Sequence, residues 1–280
     1  MATFDLRKSL NAISDVVNNR QPPLREFDQI YMKSADMLLQ TEHASRVFHE
    51  RDVVFIGDGD AIGLCLVHLN KLGHLDKAPR HVHVLDFDER VVRSIQRFAR
   101  EYGVEDRISA ELYNVADRLP SVLWERFDGF YTNPPFGASN EGKSIQTFIA
   151  RAFEATKTGA VGIAILADRA ELRWTREVLR KTQSDLLARG AVITELLPEF
   201  HNYHLDDTPE LTSCSLVIEV IEREPANYAS EPLDETSRLN FYGSENPLRT
   251  RYVYDLRDGG KLPSRDYEFE GFEEDLADVR

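Results

Sequence analysis

Cysteine is nearly absent: Cys65 and Cys214 are the only two in 280 residues. They lie far apart, each inside an apolar segment. Neither a disulfide framework nor a zinc-ligand spacing is present, so the sequence reads as a cytoplasmic protein with buried thiols and no metal site. Long apolar runs are missing too. None approaches the roughly 18 residues that span a bilayer, and "MATFDLRKSLNAISDVV" carries charges where a signal peptide needs an apolar block. Basic charge is in deficit, with 34 Lys and Arg against 48 Asp and Glu and a net charge of −14. Duplex nucleic-acid binders draw affinity from a basic face. That class is disfavoured, and a cationic ligand suits the chain better.

What is present is an alternating pattern. Phe4, Leu6, Leu10, Ile13, Val16 and Val17 have helical spacing over 4–19. "NNRQPP" breaks that helix, and a second is expected over 33–49. Strands then follow at "DVVFIG" (52–57), "HVHVLDF" (81–87), "RISAELYNV" (107–115), "FDGFYTN" (127–133), "GAVGIAILA" (159–167), "AVITELL" (191–197) and "TSCSLVIEVIE" (212–222). Amphipathic helices fall between them over 61–72, 89–102, 143–157 and 170–188. Strands alternating with helices of this length imply a mostly parallel sheet covered on both faces. The last two strands lack a helix between them, which suits an antiparallel edge. The expected fold is α/β: a seven-stranded doubly wound sheet, with a helical N-terminal cap over 1–49 and the main domain over 50–256. "TRYVYDL" (250–256) reads as one more strand, and 257–280 as an acidic tail.

The first strand leads through Gly57 and Gly59 into a helix, a turn that lets backbone approach a ligand. Asp86 ends the next strand, where doubly wound folds place a carboxylate to accept both ribose hydroxyls. Phosphate sites hold an anion on helix N-terminal amides. Here Asp58 and Asp60 occupy that place, repelling a pyrophosphate but not a nucleoside bearing a sulfonium and an amine. The pattern points to S-adenosylmethionine or its decarboxylated form rather than NAD, with Phe87 against the adenine and Asn114 near its exocyclic amine. Capping of the following helix is the competing account of Asp58 and Asp60, and it explains one of them better than both.

"TNPPF" (132–136) ends the fourth strand at the sheet edge where such folds bind ligands. The Asn133 side-chain oxygen and the Pro134 carbonyl both accept from an amine. Pro134 and Pro135 stiffen the turn, and Phe136 offers a face to a base or cation. The turn is suited to aim an amine nitrogen at a sulfonium-bound carbon.

These features resemble class I S-adenosylmethionine-dependent enzymes, and N–P–P–aromatic resembles their amine-nitrogen methyltransferases. "EFDQ" (26–29), "FIGDGDAIGL" (55–64), "VLDFDERV" (84–91), "LYNVADRLP" (112–120), "TNPPFGASNEGKSIQTFIARA" (132–152) and "ARGAVITELLPEFHNYH" (188–204) are together similar to the branched-chain polyamine synthases. That resemblance implies a methyltransferase-like fold. It also implies aminopropyl transfer from decarboxylated S-adenosylmethionine to a small-molecule polyamine, with release of methylthioadenosine. The family's glycine followed by three aspartates falls on Gly57, Asp58, Gly59 and Asp60, so Gly59 departs from it. Asn133 stands where the family's turn usually begins with Asp.

On this reading Asp60 holds or deprotonates the acceptor, and Asp58 and Asn133 direct it. Tyr203 and His204 close the polyamine channel, while Phe27, Asp28 and Gln29 cover the donor. His201 reads as a hydrogen-bonded structural histidine. Methylation of an amine or nucleobase with S-adenosylmethionine stays open as the alternative. A passive nucleoside-binding module with Tyr267, Phe269 and Phe272 in a docking tail also stays open. A membrane partner is not expected, and a homodimer is left open.

Overall fold

The computed structural model describes residues 5–222, 230–257 and 266–272. Helix α1 (Leu6–Asn19) begins where the Asp5 carboxylate accepts from the Lys8 N–H, and it buries Ala12, Ile13 and Val16. The "NNRQPP" break continues into an irregular strap over 20–33, with one 3-10 turn at Arg25–Phe27, before α2 (Ser34–Val47).

Seven strands form the main sheet: β1 (Asp52–Ile56), β2 (His81–Asp86), β3 (Ile108–Leu112), β4 (Phe127–Thr132), β5 (Thr156–Ala167), β6 (Ala191–Asn202) and β7 (Thr212–Val220). Their order is β3-β2-β1-β4-β5-β7-β6, parallel from β3 to β5. Strand β7 runs antiparallel to both neighbours. The antiparallel strand therefore lies second from the edge, because β7 inserts between β5 and β6 and leaves β6 outside.

Alternation along each strand splits the core. Val53 and Phe55 face one side, packing with α1, α2, α3 (Ile62–Lys71) and α4 (Glu89–Tyr102). Val54 and Ile56 face the other, with α5 (Lys143–Ala155) and α6 (Arg173–Ala188). The N-terminal helices share the first of these cores and have none of their own. Phe130 is fully buried in the second core and lies across from Gly162, whose Cβ, if it had one, would sit 2.1 Å from Phe130 ring carbons.

A short helix α7 (Glu235–Leu239) precedes a separate hairpin of β8 (Thr250–Asp255) and β9 (Tyr267–Gly271). Part of the stretch assigned to an acidic tail is thus a strand. Its aromatic residues alternate with glutamates, and Tyr267 covers the Arg90 guanidinium at 4.6 Å. The Val253 N–H donates to the Phe87 carbonyl at 3.1 Å, joining the hairpin to the end of β2. Arg257 donates to the Gln21 side-chain oxygen at 2.9 Å, and Phe269 meets Phe27 edge-on at 5.6 Å, joining it to the strap. Phe4 and the rest of the proposed tail, 258–265 and 273–280, lie outside the described residues. Among the described residues no helix is long and apolar enough to cross a membrane.

Candidate active site

A cavity of about 360 Å³ opens at the carboxyl ends of β1, β2 and β4, between the strap and the β6–β7 connection. This is where the twisted sheet leaves a crevice beyond its strands. Its floor is the loop after β1. Gly57 takes a φ of +73°, and a Cβ there would lie 3.3 Å from the Phe148 ring. At Gly59 a Cβ would lie 3.3 Å from the Tyr31 ring. Both glycines keep the loop low and the cavity open.

The two loop aspartates part ways. Asp58 does not line the cavity. Its carboxylate oxygens accept from the Ile62 and Gly63 N–H groups at 2.8 and 2.9 Å, capping α3. Burial pushes its carboxyl well above the usual range. The structure thus does not bring Asp58 to the cavity with Asp60 and Asn133: its carboxylate satisfies donors that the helix start leaves open.

Asp60 does line the cavity. Its Oδ1 accepts from the Met32 N–H at 2.8 Å and from Arg20 Nη1 at 3.2 Å. Its Oδ2 accepts from Asn133 Nδ2 at 2.9 Å. Burial raises the Asp60 carboxyl above its ordinary range, and the Arg20 guanidinium works against that rise. With its amide nitrogen spent on Asp60, Asn133 has its oxygen left for an incoming N–H. Pro134 and Pro135 line the cavity beside it, and Phe136 packs edge-on against Tyr203 at 5.7 Å.

On the β2 side, Asp86 Oδ2 accepts from the Asp58 N–H at 3.1 Å and Oδ1 from the Asp88 N–H at 3.0 Å. Burial, then the neighbouring Asp88, pushes its carboxyl up to about 7. Each oxygen retains a lone pair for a hydroxyl. Phe87 lines the cavity with its ring 5.2 Å from Phe27. Asn114 also lines it, while its amide joins the loop after β3 to β8 by accepting from the Ala116 N–H and donating to the Arg251 carbonyl. Gln29 lines the cavity and fixes the strap, accepting from the Leu24 N–H and donating to the Asp88 carboxylate. Asp28 is exposed along the cavity wall at a φ of +56°, its carboxyl raised by the surrounding protein and opposed by Arg25.

Two expected channel residues sit elsewhere. Tyr203 is buried behind Phe136, with its hydroxyl 2.7 Å from Ser213 Oγ. His204 is exposed, and its backbone N–H donates to the Tyr31 carbonyl. Neither lines the cavity; from their connection Leu205, Asp207 and Leu211 do. His201 is buried between Ser213 and Gln40, and burial pushes it down to about 3, so it stays neutral. Sequence reasoning missed Arg20, Tyr31 and Asp207. Arg20 stands inside a helix-breaking stretch and meets Asp60 only through tertiary folding. Asp207 follows "EFHNYH" closely enough for that motif to have indicated its loop.

The curated relatives include an N(4)-bis(aminopropyl)spermidine synthase of Thermococcus kodakarensis. It is 26% identical over 198 residues, covering 69% of this chain and 52% of the relative. The chain spans about half the length of the curated relatives of that name which it matches. Among solved structures, the branched-chain polyamine synthase of Thermus thermophilus was determined with N4-aminopropylspermidine and 5'-methylthioadenosine. It superposes with a TM-score of 0.68 at 22% identity, covering 81% of this chain and 67% of that one. A Pyrococcus horikoshii protein classed as an RNA methyltransferase shares the fold at a TM-score of 0.56 and 16% identity, covering 78% of this chain and all of that one. Residues 8–245 match the family described as the branched-chain polyamine synthase A C-terminal domain. With most of its length inside that match, this chain belongs to the branched-chain polyamine synthase family.

Proposed function

We propose that the chain transfers an aminopropyl group from decarboxylated S-adenosylmethionine to a polyamine nitrogen. The observation that carries this reading is the placement of Asn133, oriented by Asp60, in the same cavity as Asp86. The family's synthases and the ligands of the Thermus enzyme support the choice of chemistry.

The residues fit a nucleoside donor. The glycine floor leaves room that a Cβ at either position would narrow, and Asp86 offers oxygens to ribose hydroxyls. Phe87 supplies an apolar wall. When bound, the donor supplies a carbon activated by its sulfonium. The chain's own task is to orient the acceptor: Asn133 Oδ1 and the Pro134 carbonyl accept its N–H groups, pointing the lone pair across the cavity. Fixed orientation of this kind supplies much of a transfer enzyme's rate. Asp28 remains on the wall to receive an ammonium.

The Asn-Pro-Pro-Phe turn, which begins with an amide, also suits a second reading, N-methylation with S-adenosylmethionine. That donor's carboxylate needs a cation, and the nearby Arg20 and Arg25 are both paired with aspartates. Mass spectrometry of reactions with spermidine and each donor separates the readings. A gain of one aminopropyl unit is expected, and a gain of one methyl group would transfer the assignment to methylation.

Asp86 sets a pH dependence. Its proton is held up to about 7 in the folded chain, and only the ionised carboxylate accepts from both hydroxyls. Methylthioadenosine affinity is therefore expected to fall as pH drops through that value, approaching tenfold per unit well below it. Calorimetric titration from pH 8 to 5 checks this, and Asp86→Asn should bind weakly with a flat profile. For stability the sign is opposite. A carboxyl raised above its unfolded value favours the folded state at low pH, and that contribution is lost as pH rises through about 7.

A further inference from the structure

A guanidinium beside the acceptor site of an enzyme for polycations needs an account. Arg20 caps the end of α1, and its side chain is 8% exposed. It is pressed between the Tyr31 ring, 4.4 Å from its Cζ, and the Asp60 carboxylate. Its Nε is buried and meets no partner among the described residues. Asp60 connects the two halves of this arrangement, with Arg20 on one oxygen and Asn133, which faces the acceptor, on the other.

We propose that Arg20 is a positioning residue acting through Asp60: it cancels the charge of the carboxylate nearest the nucleophile, so that the bound ammonium gives up its proton more readily. The inference rests on the aminopropyl-transfer reading above. Polyamine nitrogens are cationic in water, with alkylammonium groups titrating at about 10, and a protonated nitrogen has no lone pair for attack. An unpaired Asp60 would hold the acceptor firmly in that unreactive form. A cation close to an amine makes deprotonation easier, as does desolvation. The proton leaves to water at the cavity mouth. The nitrogen lone pair then forms the new N–C bond while the C–S electron pair returns to sulfur.

Among the other ionisable groups that act on Asp60, His204 works in the same direction as Arg20, but from an exposed position where solvent screens it. Asp58 lies beneath it in the loop. Tyr31 from the strap, Cys65 from α3, Tyr131 from β4 and Tyr203 after β6 are all raised by burial and so stay uncharged.

The test is the pH profile of kcat with spermidine for wild type, Arg20→Met and Arg20→Lys, together with proton release on spermidine binding. Release is measured calorimetrically in two buffers with methylthioadenosine present. Arg20→Met is expected to move the acid limb of kcat upward by about one pH unit, a loss of about tenfold below the limb that high pH restores. Its proton release at pH 8 should fall below that of wild type, and Arg20→Lys should preserve both properties. A loss that is equal at all pH values, or unchanged proton release in Arg20→Met, overturns the Arg20 inference and leaves the transfer reading standing. A wild type that makes no aminopropyl product overturns that reading, and Arg20's role in transfer with it. Retained methylthioadenosine binding establishes that each variant is folded.

Discussion

Replacing Asn133 by alanine is expected to lower kcat for aminopropyl transfer by about a hundredfold or more, the usual consequence of deleting one preorganised polar group at a reacting centre. Two losses combine in this variant. The acceptor N–H loses the Asn133 oxygen, and Asp60 Oδ2 loses its donor at 2.9 Å. Methylthioadenosine affinity should stay within about twofold, since Asp86 and the glycine floor are untouched. Steady-state kinetics with calorimetry on the same samples makes the comparison. A kcat within threefold of wild type would remove Asn133 from the chemistry. Asn133→Asp tests the same contact differently. It brings two carboxylates together, which forces them to share a proton. Transfer should then gain a dependence on pH that the amide does not impose.

The second large effect is on stability. Gly162→Ala places a methyl 2.1 Å from Phe130 ring carbons, inside the second core. Phe130 has no exposed side to move toward and lies near the Phe153 ring at 5.9 Å. Overpacking of this severity is expected to cost about 3 kcal/mol, a fall in Tm of roughly 5 °C. Phe130→Leu should recover part of that loss in the Gly162→Ala background, so that a double-mutant cycle shows coupling. Thermal melts of the four proteins decide it. A Gly162→Ala chain as stable as wild type would show that β4 and β5 are not held this closely.

Sequence periodicity located the elements well where burial is regular. Val53 through Ile56 and Ile163 through Leu166 are buried on both faces, so their continuous apolar runs announce central strands. β6 extends to Asn202, beyond its apolar start, because an edge strand tolerates polar residues on its open side. β9 was hidden for a related reason. Tyr267 and Phe269 alternate with glutamates, and acidic composition masked a period-two signal.

Within the site, Asp86 and Asn133 were legible because strand ends in this fold project toward the crevice. Asp58 and Asp60 were not separable by type or spacing. The chain folds one under a helix and the other against Arg20, forty residues away. Tyr203 looked like a wall of the channel and proved to be support for Phe136.

The strap along one wall of the cavity is itself fastened by the last described strands, through Phe27 with Phe269 and Gln21 with Arg257. A nascent polypeptide can assemble its seven-stranded platform from residues up to 220 while the strap still lacks its anchor. Closure of the strap over the cavity therefore depends on strands that follow the whole seven-stranded sheet in the chain.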